Sequence, residues 1–250
     1  MVQLTYPGLA CAADQSNGDS RVVGDIDQQA EQAADKSALW QGSIEAGLVA
    51  VTGNTQSEVA NLGFNARRRQ QSWTQAVKSE IYSAAYDGNR NAETYLLEGM
   101  LKYDLSVGRY LFSNARYYDN KFDSFTQIYS GALGAGFRPV GNVALSWDVY
   151  AGLGYSWQSR DVTQEDISGA TFLGLSDYSQ KISETTDFGL ESRLEYKPEN
   201  TFIRNQASIN LAINETLSVK LIYELRYNSE PSNADENLDS LTKANVVYSF

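Results

Sequence analysis

The chain has 250 residues, with 31 Asp and Glu against 20 Lys and Arg for a formal charge of −11, one Cys and no His. Without His there is no Ser-His-Asp or Cys-His nucleophile and no His-ligated zinc or iron site, and Cys11 alone builds neither an intramolecular disulfide nor an all-Cys metal site. The acidic balance argues against nucleic acid, which is bound through a basic stripe.

No apolar run approaches the roughly 18 residues of a membrane helix. A mean hydropathy of −0.41 would then read as soluble. A transmembrane barrel escapes that inference, because it shows only every second residue to lipid. The plentiful Gly (19) and Tyr (16) fit such a barrel.

At the N-terminal end, Leu9-Ala10-Cys11-Ala12-Ala13-Asp14 reads as the remnant of a secretory signal, with Ala10-Cys11-Ala12 as the cleavage site. The polar, acidic stretch that follows offers no core. Residues 1–39 are therefore expected to be a signal remnant and a periplasmic leader, and 40–250 a single barrel domain.

From Trp40 onward the dominant period is two, the mark of strands whose faces meet different solvents. Eleven strands are predicted directly, at about 41–52, 57–69, 73–86, 93–104, 109–118, 126–138, 143–157, 184–197, 201–213, 216–228 and 240–250. In 143–157, Val143, Leu145, Trp147, Val149, Ala151, Leu153, Tyr155 and Trp157 share one face, and Ala144, Ser146, Asp148, Tyr150, Gly152, Gly154 and Ser156 share the other. In 217–228, Leu217, Val219, Leu221, Tyr223, Leu225 and Tyr227 oppose Ser218, Lys220, Glu224, Arg226 and Asn228, with Ile222 as the exception. Soluble strands run to about five or six residues, whereas tilted membrane-spanning strands need about nine to eleven. Aromatics near the ends of the apolar faces, Tyr95 with Tyr103 and Tyr155 with Trp157, fit girdles at two membrane interfaces.

The connections alternate between tight turns and polar loops, as expected when turns are periplasmic and loops external. The stretch from 159 to 181 reads as a loop, yet a barrel with both ends in the periplasm needs an even strand number. A twelfth strand is therefore placed at Ala170 to Gln180, with ten strands as the fallback. Loop acids Asp161, Glu165, Asp166, Asp177, Glu230, Asp235, Glu236 and Asp239 offer oxygen ligands for divalent cations, bridging to lipopolysaccharide phosphates. Arg67-Arg68-Arg69 reads as a periplasmic rim in the lipid headgroup zone.

The last residues, Thr242, Ala244, Val246, Tyr248 and Phe250, lie on one face and end in a terminal Phe. They resemble the C-terminal signal by which the barrel-assembly machinery recognises its substrates. The whole arrangement resembles domain-of-unknown-function family 481, the salt-induced outer membrane protein (YdiY-like) group of Gram-negative bacteria. The likeness is carried by Gly47 to Thr55, Gly131 to Phe137, Leu217 to Lys220, Tyr227 to Pro231 and Val247 to Phe250, and it extends over about 40–250. It implies an outer-membrane β-barrel and brings no catalytic residues, ligand or cofactor.

With the apolar faces toward lipid, the lumen receives Lys78, Glu80, Glu98, Lys102, Arg116, Asp148, Glu191, Arg193, Glu195, Lys220, Glu224 and Arg226. Twelve strands enclose a lumen only a little wider than the eight-stranded kind, which side chains fill. The expectation is a non-enzymatic outer-membrane barrel, structural or stress-related, with a closed, salt-bridged lumen. A narrow passive channel for ions or small solutes is the alternative, and a soluble periplasmic ligand-binding barrel a remote one.

Overall fold

The computed structural model describes residues 39–51, 57–86, 89–120, 125–142, 144–160, 166–230 and 237–250. The expected signal remnant and most of the leader, and the acids Asp161, Glu165, Asp235 and Glu236, lie outside the described residues. Twelve strands follow one another: β1 Gln41–Val51, β2 Ser57–Gln70, β3 Trp73–Tyr86, β4 Asn89–Ser106, β5 Arg109–Asn120 and β6 Phe125–Gly141 form the first half. The second half is β7 Leu145–Arg160, β8 Ile167–Lys181, β9 Thr186–Tyr196, β10 Thr201–Ala212, β11 Leu217–Asn228 and β12 Leu238–Ser249. Each pairs antiparallel with its sequence neighbour, and β1 pairs with β12, closing the barrel. Closure removes the sheet edges that lipid does not tolerate.

The strands alternate as their sequences dictate. Leu48, Leu133, Leu153 and Trp157 are exposed on the outer face. Their neighbours Glu45, Asp148, Ser156 and Glu224 are buried within. A soluble ligand-binding barrel would turn the apolar face inward instead. Aromatic pairs mark both ends of the outer band. Trp73 and Tyr103 lie 4.8 Å apart at the turn end, and Tyr155 and Trp157 lie 4.6 Å apart at the loop end.

The turns have local causes. Gln71 and Gly108 adopt φ of 53° and 70° in two-residue connections, the left-handed geometry such hairpins require. Asn142 and Asn214 instead fold their side chains back as Asx turns. Asn142 Oδ1 accepts from the amides of Ala144 and Leu145, and Asn214 Oδ1 from those of Thr216 and Leu217.

The twelfth strand expected at Ala170 to Gln180 is present as β8 and runs longer than expected, so most of the 159–181 stretch that reads as a loop is strand. Strand β7 continues to Arg160, and β8 occupies Ile167–Lys181, pairing with β7 from Gln158↔Ile167 to Leu145↔Gln180. Asp177, expected on an external loop, sits within β8 opposite Asp148 and Glu191. The pattern of β8 is mixed: Leu173 is buried inside, while Ser168 and Ser176 share the outward face with Phe172. The outward serines are satisfied by the girdle, Trp147 Nε1 donating to Ser176 Oγ at 3.0 Å and Tyr155 Oη to Ser168 Oγ at 3.2 Å.

The seam between first and last strands is short. β1 pairs with β2 along its whole length, but with β12 only from Ser43↔Ser249 to Ala46↔Val246. Gly42 and Phe250 extend it by two backbone bonds, of 3.0 and 2.9 Å, which tie the chain's last residue into the wall.

Candidate functional site

The lumen is filled by two different chemistries. Against β5 to β8 lies an aromatic cluster of Tyr110, Phe112, Tyr150 and Leu173. It sits over inward-facing glycines, because an added Cβ at Gly136 would collide with the Tyr110 ring. Within this cluster Asp148, wholly buried, accepts from Tyr110 Oη at 2.7 Å and from Arg138 at 3.1 Å. A register shift between Phe137 and Val140, at Pro139, separates Arg138 from the regular alternation. Lys102 donates to Tyr150 Oη, with its ammonium 4.4 Å from the centroid of that ring. Buried aromatics thus hold one lysine and one aspartate at the turn end.

The remaining interior is crossed by ion pairs between strands far apart around the ring. Arg193 on β9 reaches Glu98 on β4 at 2.7 Å, and Arg116 on β5 reaches Glu195 on β9 at 2.9 Å. Arg193 also holds Glu195 at 2.6 Å and donates to Asn114 Oδ1 at 3.3 Å, while Asn114 Nδ2 donates to Glu98 at 2.6 Å. Further round, Lys78 on β3 meets Glu191 on β9 at 3.0 Å, and Arg204 on β10 bridges Glu80 and Glu224 at 3.3 and 2.7 Å. Glu224 takes a second guanidinium from Arg226, which in turn donates to Tyr118 Oη across the barrel. Against β1, Lys220 pairs with Glu45 at 2.8 Å. Charge-assisted bonds of this length offset the loss of water from each ion, and removal of one partner would leave the other uncompensated.

Among the described residues, two cavities between these bridges have volumes of about 90 and 120 Å³. They share Asn65, Lys78, Asp177, Glu191 and Gln206 as lining, so the Lys78–Glu191 pair sits where they meet. That pair is the wettest of the cross-lumen bridges, Glu191 keeping 40% of its side-chain surface against 4% for Glu195.

All twelve charged residues expected in the lumen contribute to these groups. Asp148, Glu224, Glu195 and Lys102 are the most deeply buried of them. The sequence reading missed Glu45, Arg138, Arg204, Lys243 and the interior Asp177. Lys243 lies 3.7 Å from Glu224 and 3.9 Å from Glu80. Its inward position follows from the outward Thr242 and Ala244, so the signal was present. Arg204 was hidden by its neighbour Asn205, a polar residue in register with the outward Leu225. Carboxylates Glu191 and Glu195 point the same way but bind different cations, which leaves neither as a free acid–base pair. Thr242, Ala244, Val246 and Tyr248 share the outer face of β12, exposed to the surroundings, and Phe250 just beyond the strand is exposed with them.

The family model described as "Protein of unknown function, DUF481" matches residues 44–250. Over 218 residues the chain is 22% identical to the uncharacterized protein YdiY of Escherichia coli (strain K12), covering 84% of this chain and 83% of that one. Among solved structures it is similar to the NanC porin, with a TM-score of 0.53 and 11% identity over 83% of this chain and 98% of that chain. At that identity the likeness is one of fold.

Proposed function

From the premise that this chain belongs to the DUF481 family of unknown function, we propose that it is a non-enzymatic barrel of the Gram-negative outer membrane whose lumen is closed. The observation that carries this reading is the set of bridges from β3, β4 and β5 to β9 on the opposite wall: Lys78–Glu191, Arg193–Glu98 and Arg116–Glu195. Together with the aromatic cluster they fill the interior around cavities of about 90 and 120 Å³ among the described residues. Its role is then structural, or a response to envelope stress. Its partners are the outer-membrane lipids and lipopolysaccharide, with the Phe250 strand presented to the barrel-assembly machinery. Divalent cations would act only at external loop acids.

A narrow passive channel is the second reading, favoured by the partly exposed Lys78–Glu191 pair at the junction of the two cavities. Ion flux from loaded proteoliposomes separates the two. Retention of the gradient at the level of protein-free vesicles supports closure; loss of the gradient supports the channel. Heat-modifiable mobility of the same sample on a gel confirms that the barrel is folded.

A further inference from the structure

We propose that the outer wall of β5 to β7 holds one phospholipid of the periplasmic leaflet, its phosphate on Arg109 and an acyl chain in the groove beside it. The proposal rests on the outer-membrane reading and holds whether or not the lumen conducts. Arg109 opens β5 and faces outward, since Tyr110 after it is buried in the lumen and Leu111 is exposed. Among the described residues no carboxylate pairs with it, whereas Arg69 and Arg138 at the same end hold Asp104 and Asp148 at 3.0 and 3.1 Å. Its depth follows from register: Leu111 lies opposite the girdle residue Tyr103, and Arg109 is one outward position nearer the turn. That places the guanidinium just outside the hydrocarbon, at the level of the lipid headgroups. A planar guanidinium binds a phosphate through two parallel charge-assisted bonds.

Beside Arg109 an apolar groove of about 510 Å³ runs between Leu105, Phe137 and Val149 over a floor of Ala135 and Ala151. A second hollow, of about 740 Å³, lies deeper on the same wall over Gly99, Ala115 and Gly131, which share one register row. Leu101, Leu133 and Leu153 flank it. Packing within the protein does not account for Gly99 and Gly131. An added Cβ meets nothing within 4 Å at Gly99, and only the Asn114 carbonyl oxygen at 3.9 Å at Gly131. At Gly134, Gly136 and Gly154 it would collide with neighbouring atoms. Glycine weakens a strand interior, and one that no neighbour requires marks the close approach of something else.

Charge and shape agree on one orientation, with the cation at the rim and the hollows toward the centre of the bilayer. Ala115 is six residues along β5 from Arg109. That is about 20 Å along the strand, or about 15 Å of depth at the usual tilt, half of a hydrocarbon core roughly 30 Å thick. One acyl chain in one leaflet has this reach. Lipopolysaccharide belongs to the opposite leaflet, at the loop end. A second copy of the barrel fits the wall less well, because a two-fold contact would bring both Arg109 side chains to one depth with like charges facing.

The test is native mass spectrometry of the refolded full-length protein in a neutral detergent, titrated with phosphatidylglycerol, with heat-modifiability showing that the barrel is folded. Wild type should retain one lipid, at an occupancy that Arg109→Gln lowers at least fivefold. Ala151→Phe should lower it as much by filling the groove, and should leave heat-modifiability unchanged because that side chain lies on the outer face. Arg90→Gln, at the loop end, should retain the lipid as wild type does. Glycerophosphoglycerol, the headgroup without its chains, should not displace the lipid at tenfold excess. No retained lipid, full retention by Arg109→Gln or Ala151→Phe, equal loss in Arg90→Gln, or displacement by the headgroup alone would each overturn the site. So would a lipid-free dimer as the main species. A protein that never gives a heat-modifiable form would instead overturn the outer-membrane reading, and the site with it.

Discussion

Replacing Arg193 with Met tests how much the cross-lumen bridges contribute to stability. Arg193 is 9% exposed at its side chain and holds Glu98 and Glu195, which are 16% and 4% exposed. Loss of one partner from a buried ion pair costs about 3–5 kcal/mol, because a charge is stranded. Here Glu195 keeps Arg116 at 2.9 Å and Glu98 keeps Asn114 at 2.6 Å, so the cost belongs at the lower end, about 3 kcal/mol. The Lys78–Glu191 pair is 22% and 40% exposed, and Lys78→Met should cost about 1 kcal/mol or less. Adding Glu98→Gln to Arg193→Met removes the stranded charge and should recover about 1–2 kcal/mol. Equilibrium urea unfolding in detergent, followed by tryptophan fluorescence, measures all three. Equal losses for Arg193→Met and Lys78→Met, or additive losses in the double variant, would refute the reasoning.

Other consequences can be checked separately. Replacing both Lys78 and Glu191 with Ser should join the two cavities and produce discrete conductance steps in a planar bilayer; a silent variant would show that this pair is not what divides them. Gly136→Val should destabilise the barrel by about 1–3 kcal/mol through collision with Tyr110, and a variant as stable as wild type would contradict that packing. Phe250→Ala should leave refolding in detergent intact but lower the yield of folded barrel in cells several-fold, read by heat-modifiability; unchanged yield would remove Phe250 from the assembly signal. Backbone amides of β12 from Leu238 to Asn245 that would face β1 should exchange hydrogen faster than those of β11, since the β1–β12 register ends at Ala46↔Val246.

Much of this molecule was legible because membrane strands are long and carry their information in a period of two. Wherever the outer face was built from large apolar residues, as in β7 and β11, the inward residues followed by alternation. Alternation carries no such information where that contrast is lost. In β8 the small residues Ser168, Gly174 and Ser176 interrupt the face that Phe172 occupies, while Leu173 lies inside, so only the even strand count placed a strand at Ala170 to Gln180 and Asp177 was assigned to a loop. Ser176 and Ser168 tolerate the outer face through hydrogen bonds to Trp147 and Tyr155, partners on another strand that no local pattern reveals. Ile222, the exception in β11, is 4% exposed and belongs to the interior. The pairing of charges was likewise invisible. Residues Arg116 and Glu195 are brought together by closure of the ring, not by spacing.

The central claim is that the lumen is closed, and single-channel recording of the refolded protein in a planar bilayer tests it most directly. Heat-modifiability should verify the folded barrel in the same preparation. The account predicts a silent membrane with wild-type protein. Discrete steps whose ion preference changes on neutralising Glu98, Asp148 or Glu224 would contradict it and establish a pore lined by those residues.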